Sequence, residues 1–309
     1  MTNTNSERPR ALNRGLVLVR AGRNHCFDSA LQVERTDRSW DIAFSIYDDT
    51  ELTEQCSVDI LHRYKGGKWC GIYSFFAEFP QLLNSYDYFW LVDDDIEVDC
   101  TQISALFDYV RHYKFELAQP ALTEQSYFSH RLTLRCPCFL HRHTNLVEIM
   151  APILSARLLR KILPYFVNTH SGFGIDWYWQ SLVSDPWRAI AIIDAIAVKH
   201  GRPPRQHLRR EMERYGVTPE MERDQLVREL GLRRLHAIAT RGVTEQGTTI
   251  PTRIGMCIAM LPAYWSIRGK ITTRRWGVSD SFIVLFRHLF SPLGFSRRLF
   301  RISRKCMIF

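Results

Sequence analysis

The stretch that most constrains this chain is Tyr86 to Val98, YDYFWLVDDDIEV, in which an apolar run meets three consecutive carboxylates. Tyr88 to Val92 is short, continuous and rich in aromatic and β-branched residues, the composition of a strand buried on both faces in a parallel sheet. Three adjacent anions at a strand end repel one another and lose solvation, so they must face water or share a cation. Alternation along the strand puts Asp93 and Asp95 on one side and Asp94 on the other. Two converging oxygen donors suit Mg²⁺ or Mn²⁺. In open α/β sheets ligands sit beyond the carboxyl ends of strands, where this cluster falls. A solvated acidic turn is the plainer reading; the apolar strand ahead of it favours a site.

Gly15 to Gly22 reads as a first strand running into a glycine turn, without the GxGxxG of a dinucleotide enzyme. Trp40 to Tyr47 reads as a second strand, also ending in carboxylates, Asp48 and Asp49. Tyr64-Lys65-Gly66-Gly67-Lys68-Trp69 leads into a helix over Cys70 to Leu83, whose first amides, beside Lys65 and Lys68, would favour a phosphate. An exposed turn is the alternative. A helix capped by Thr101 follows to Tyr113, then a strand over Leu117 to Leu122 and a basic, histidine-dotted run from Ser129 to His143. Val147 to Leu154 is strand-like and carries Glu148 in an apolar run, a costly place for a carboxylate unless it is bonded; this makes Glu148 a candidate acceptor-binding group.

After a helix over Arg157 to Phe166 comes His170 to Trp179. Gly172 and Gly174 permit a tight turn that aims Asp176 at a cleft, and Trp177 offers a flat face for a sugar ring. Asp176 is also placed to cap a helix. Ala189 to Val198 reads as a buried strand that carries Asp194 and delivers His200, within reach of a metal held by Asp95. From Arg205 onward the composition turns charged and helical. The expected organisation is a loose tail over 1–14, an α/β body over 15–204 and a helical basic region over 205–309.

With 309 residues, 46% of them apolar, the chain can bury one large core. Its net charge of +9 is concentrated: Arg253 to Phe309 holds eleven basic residues against one acidic, Asp280, a balance of +10. Basic residues interleaved with Trp265, Trp276, Phe282, Phe286, Phe290, Phe295 and Phe300 suit an anionic membrane surface, or a solvated face on packed helices. No nucleic-acid motif accompanies the charge, so no nucleic-acid partner is expected. No run reaches the roughly eighteen apolar residues of a membrane span, and Met1 to Asn13 has no secretory signal. The eight cysteines show no paired CxxC spacing, and Cys136 and Cys138 flank Pro137 too tightly for a zinc knuckle. Reduced thiols in a cytoplasmic protein, peripheral at the inner face of the membrane if the tail binds it, are expected.

The ordered series Tyr47-Asp48, Lys68-Trp69, Tyr86-Asp87-Tyr88 with Asp93-Asp94-Asp95, Gln119 to Leu122, Ser129-His130, Val147 to Pro152, Gly174-Ile175-Asp176, and Asp194 with His200 resembles a family. It is that of uncharacterised glycosyltransferase-like proteins whose plant members often carry a lysine-ketoglutarate-reductase trans-splicing-related label. This chain departs from it with Asp49 where the family tends to have glycine, and with Asp94 where Asp-Glu-Asp is expected. The resemblance, over roughly Gly15 to Pro204, implies a GT-A-like catalytic domain with a DxD-type metal and nucleotide-sugar site. In that setting Asp93, Asp95 and His200 are the expected ligands of Mn²⁺ or Mg²⁺. Asp48, Lys65, Lys68 and Asp94 would hold the nucleotide-sugar donor, with Asp93 or Asp48 on ribose or base. Asp176 would be the general base, and Glu148 and Trp177 would meet a saccharide or lipid-linked acceptor. Two other readings stand beside it: a metal-dependent phosphotransferase or phosphohydrolase, and a non-catalytic GT-A-like module that binds a membrane or partner through its tail.

Overall fold

The computed structural model describes residues 14–50, 58–167, 169–203, 212, 216–232, 236–273 and 278–291. The apolar runs become strands β1 (Gly15–Ala21), β2 (Trp40–Ile46), β3 (Ile60–Arg63), β4 (Tyr88–Asp93), β5 (Ile96–Glu97), β6 (Leu117–Leu122), β7 (Phe139–Thr144), β8 (Ile153–Ser155), β9 (Ile190–His200), β10 (Ala239–Thr244) and β11 (Thr249–Ile250). Between them lie helices α1 (Asp28–Leu31), α2 (Lys68–Glu78), α3 (Leu82–Ser85), α4 (Cys100–Tyr113), α5 (Ala156–Ile162), α6 (Ile175–Tyr178), α7 (Pro219–Glu229), α8 (Arg253–Ser266) and α9 (Val278–Phe290). The strands form one mixed sheet in the order β11-β10-β7-β9-β6-β8-β4-β1-β2-β3, with β5 paired to β9 off that path. Strands β1, β2, β3, β4, β6, β9 and β10 run one way and β7, β8 and β11 the other, so the sheet is mostly parallel.

Alternation along the strands builds two cores. Val17, Val19, Trp90 and Val92 face α1, α4, α8 and α9. Leu16, Leu18, Phe89 and Leu91 face α2, α5 and α6 on the other side. Because both faces are covered, β1 and β4 carry no polar alternation, which is why they read as unbroken apolar runs.

The sequence expectations need four corrections. Asp99, not Thr101, caps α4: its carboxylate accepts from Gln102 N at 2.8 Å while the Gln102 side chain accepts from Asp99 N at 3.0 Å. The strand expected over Val147 to Leu154 is regular only in β8, and Val147 to Pro152 is irregular. Arg14 is anchored, donating to Asp41 at 3.0 Å and to the carbonyls of Arg38 and Trp40; the rest of the expected tail, 1–13, lies outside the described residues. The sheet also continues past Pro204. Strands β10 and β11 lie within the stretch read as helical, and Met256, Met260 and Tyr264 of α8 are fully buried in the same core as Val17 and Trp90.

A buried ion pair fastens that later segment. In β9 residues 194–196 bulge out of register with β6, turning Asp194 inward. Arg142 of β7 meets it with two bonds, Nε to Oδ2 and Nη2 to Oδ1, both 2.8 Å, and donates a third at 2.8 Å to the Tyr264 hydroxyl in α8.

Candidate functional site

Strand β4 ends at Asp93, and Asp94 and Asp95 form the turn into β5. Strand β5 pairs antiparallel with the end of β9, Ile96 opposite His200, and this register is what brings His200 against the acidic turn. Each carboxylate there has its own cation. Asp93 accepts from Lys68 Nζ at 2.6 Å, Asp94 from Arg202 Nη2 at 2.7 Å, and Asp95 Oδ2 lies 3.2 Å from His200 Nε2. The like-charge repulsion expected of the triplet is thus relieved within the chain.

The three aspartates differ in what they have left to offer. Asp94 is committed, since its Oδ2 also accepts from Gly22 N at 3.0 Å and the Tyr47 hydroxyl at 2.8 Å. Burial pushes its pKa up against Arg202 and these bonds. Asp93 has the most open side chain of the three, 35% exposed. Burial raises the Asp93 pKa and lowers that of Lys68, with the salt bridge working the other way on both. The Lys68 ammonium also donates to the carbonyls of Ile149 at 2.7 Å and Met150 at 3.1 Å, pinning the irregular stretch before β8. Asp95 Oδ1 is buried and has no hydrogen-bond partner among the described residues. Burial acts to raise the Asp95 pKa, but the bond to His200 and its charge hold it below the ordinary value.

His200 is oriented from its far side: Nδ1 donates to the Tyr127 carbonyl at 2.8 Å, leaving Nε2 toward Asp95. Burial opposes charge on the ring, yet the hydrogen bond and charge of Asp95 carry its pKa to about 9. A carbonyl behind a histidine and an unmatched carboxylate oxygen before it are the features by which proteins set a metal ligand. Asp95 and His200 would fit a hard divalent cation only where the cation displaces the proton that His200 Nε2 shares with Asp95, its other positions being left to a ligand's oxygens. Among the described residues no three His, Cys, Asp or Glu side chains form a cluster able to hold a metal ion unaided. Asp93 meets Lys68 through Oδ1.

The other expected residues are placed as follows. Asp48, after β2, accepts from Arg23 N and Thr50 N, both at 3.0 Å, on the surface beside the first βα loop. Lys65 is exposed and paired with Asp49 at 2.6 Å, away from the acidic turn's contacts. Glu148 is buried and accepts from His130 N at 2.9 Å, while its own amide donates to Gln119 at 2.6 Å; it fixes a loop. Asp176 is not the cap of α6, which begins after Gly174 at φ 95°, but lies in its first turn and accepts from Gly174 N at 3.2 Å. Burial raises its pKa to about 6, the range of a working base. Trp177 is half-buried, with the Arg223 guanidinium 5.8 Å from its ring centre.

The loop before Asp176 packs on the start of α2. Gly172 takes φ 77° with Trp69 so near that a Cβ would collide with the indole, and Gly67 lies against the His170 carbonyl. Through Lys68 this joins the Asp176 loop to the acidic turn. Amides of His170, Ser171 and Gly172 converge on the Glu222 carboxylate of α7 at 3.1 to 3.2 Å, a backbone nest closed by a carboxylate. On the other side of the turn a cavity of about 510 Å³ is lined by His25, Cys26, Glu97, Gln102, Thr123 and Lys199. Sequence reasoning gave no role to Arg202, which touches Asp94 and stands 3.7 Å from Asp95, or to Arg20, whose guanidinium donates to the carbonyls of Ser45, Tyr64 and Gly66 and so shapes the loop before α2. A lone arginine beyond His200 carries no pattern.

The fold and site define an α/β protein with a cluster of charged side chains at the carboxyl ends of its strands. The chain belongs to the family described as protein of unknown function (DUF707), whose model matches residues 40–244, a span that holds every residue of the acidic turn and its partners His200, Arg202 and Lys68. Among solved structures it is similar to TarS 1-349 of S. aureus in complex with UDP-GlcNAc (8% identity, 64% of this chain and 60% of that chain, TM-score 0.41). It is also similar to a longer S. aureus TarS chain (11% identity, 70% and 42%, TM-score 0.38) and to A197 from STIV (12% identity, 77% and 94%, TM-score 0.35). At these TM-scores none of the likenesses carries an argument about this chain. No curated protein gives a significant match.

Proposed function

We propose that this protein is a metal-dependent glycosyltransferase of GT-A-like fold that takes a nucleotide-sugar donor at the Asp93–Asp95 turn. The observation that carries the reading is the buried, unmatched Asp95 oxygen beside an oriented His200, at the carboxyl end of a central strand. Asp95 and His200 would hold Mn²⁺ or Mg²⁺, which when bound supplies positive charge against the leaving nucleoside diphosphate. Lys68 and Arg202 flank the same turn and add fixed positive charge toward phosphate oxygens. Asp93, the most open of the three, faces what enters and holds ribose or base. Asp176, half-buried and ionising near pH 6, takes the proton from an acceptor hydroxyl. Trp177 beside it gives that saccharide or lipid-linked acceptor a flat apolar face.

The test is release of nucleoside diphosphate from a panel of UDP-sugars, with Mn²⁺ or Mg²⁺ and saccharide acceptors, beside phosphomonoesters as a control. Metal-dependent release from a UDP-sugar is the expected result. Turnover of phosphomonoesters alone would move the protein to phosphoryl transfer, and no turnover of either would remove the enzymatic reading.

A further inference from the structure

The last two helices among the described residues are built the wrong way round for a protein that meets only water. In α9 the inward side is Ser281, Val284 and His288, all buried, and the outward side is Val278, Phe282, Ile283, Phe286, Leu289 and Phe290. Phe286 and Phe290 are 63% and 69% exposed. Helix α8 buries Met256, Met260 and Tyr264 and shows a stripe of Ile254, Ile258, Leu261 and Trp265 at the i, i+4, i+7, i+11 spacing of one helix face. Ten of the sixteen large hydrophobic residues exposed among the described residues lie on these two helices, so the apolar surface is a patch and not a scatter.

The inward side of these helices is held by hydrogen bonds. His288 Nδ1 donates to the Val284 carbonyl at 2.6 Å and Nε2 accepts from Ala239 N of β10 at 2.7 Å. Arg253 at the start of α8 donates to the Ser291 carbonyl after α9 at 2.7 Å.

The unpaired charge carried on and next to these helices has one sign. Arg268 stacks on Trp265 at 4.4 Å, and Lys270 and Arg287 are exposed nearby in sequence. The single acidic residue from Arg253 onward, Asp280, is already taken by Arg131. An open cavity of about 570 Å³ borders the patch, lined by Trp187, Arg241, Thr252, Arg253, Ile254 and Leu289, which sets two guanidinium groups beside apolar walls. No helix among the described residues is long and apolar enough to cross a membrane. Apolar side chains outward, a tryptophan at the edge and arginines around it are the pattern of helices that lie in a lipid interface.

We infer that the outward face of α8 and α9 seats the protein on a bilayer containing anionic phospholipid, with Phe282, Phe286, Phe290 and Ile258 entering the acyl boundary and the basic residues meeting the headgroups. The surface lies outside the span matched by the family model, and the inference does not depend on the activity proposed above.

The test is flotation of the full chain with vesicles of zwitterionic lipid alone and with added phosphatidylglycerol. The wild type is expected to float with the anionic vesicles and much less with the zwitterionic ones, with Trp265 emission shifting to the blue. The variant Phe286→Glu/Phe290→Glu should lose on the order of tenfold in partition, because binding scales with the apolar area inserted. Both side chains are exposed, so its cooperative unfolding should be unchanged. Wild-type protein that stays with the aqueous phase at every lipid composition overturns the inference. So does undiminished binding of the variant. A wild-type dimer by light scattering that the variant breaks, without vesicle binding, would assign the face to a second copy of this chain instead.

Discussion

Two carboxylates, Asp194 in the bulge of β9 and Asp95 in the turn between β4 and β5, show how similar groups take different duties. Asp194, in the bulge, is met by two Arg142 bonds and the Cys136 amide, so every demand of a buried anion is answered inside the chain. Asp95, met by His200 on one oxygen, keeps the other buried and without a partner among the described residues. A complete pair is a fastener; an incomplete one is a place for something else. The same contrast separates histidines. Asp95 carries His200 up to about 9, while burial takes His141 down to about 3 and, with arginines nearby, His143 and His288 down to about 4.

The contrast can be broken at several points. The largest effect on stability should come from Asp194→Ala, which leaves Arg142 charged and buried; a loss of about 3–5 kcal/mol in urea unfolding is expected. If that variant is as stable as wild type, the fastener reading is wrong. In the proposed site Asp176→Asn should keep donor binding and slow transfer by roughly 10²–10⁴-fold. Wild-type transfer should fall as the pH drops through about 6, where Asp176 takes its proton. An active Asp176→Asn enzyme would require another base.

Acid sharpens the comparison between the histidines. His141, His143 and His288 are neutral in the fold but protonate near 6.5 when unfolded, so the unfolded chain binds more protons between about 6.5 and 4 and stability falls as pH falls. At pH 5 each should cost on the order of 2 kcal/mol relative to pH 7. His200 has the opposite sign: its contribution is fully present below about 6.5 and is lost as pH rises through about 9. Urea midpoints across this range measure both limbs, and a flat profile would contradict them. The smallest effect is expected of Lys65→Ala, since the exposed pair with Asp49 should be worth less than about 1 kcal/mol.

Much of the parallel core was legible because strands buried on both faces leave continuous apolar runs, as in Gly15–Ala21, Trp40–Ile46 and Tyr88–Asp93. The meeting of Asp95 and His200 was legible for a similar reason: each ends or follows such a run. What stayed hidden depends on contacts distant in sequence. The alternation argument for Asp93 and Asp95 assumed a strand that in fact ends at Asp93, and the cation for Asp93 comes from Lys68, which the Gly66-Gly67 pair advertised as a phosphate ligand. Strand β10 was masked by the charged sequence before it, and the outward turn of α8 and α9 has no signature in periodicity, because an apolar stripe has the same spacing whether it faces a core or a membrane.

The central claim is that Asp95 and His200 grip a divalent cation shared with a nucleoside diphosphate. Calorimetric titration of UDP with and without Mn²⁺, on the wild type and on Asp95→Ala with its cooperative unfolding verified, tests it most directly. The account predicts UDP binding to the wild type that depends on Mn²⁺ and is absent from Asp95→Ala. Equal binding by the two proteins, or binding by the wild type that is indifferent to Mn²⁺, would contradict it.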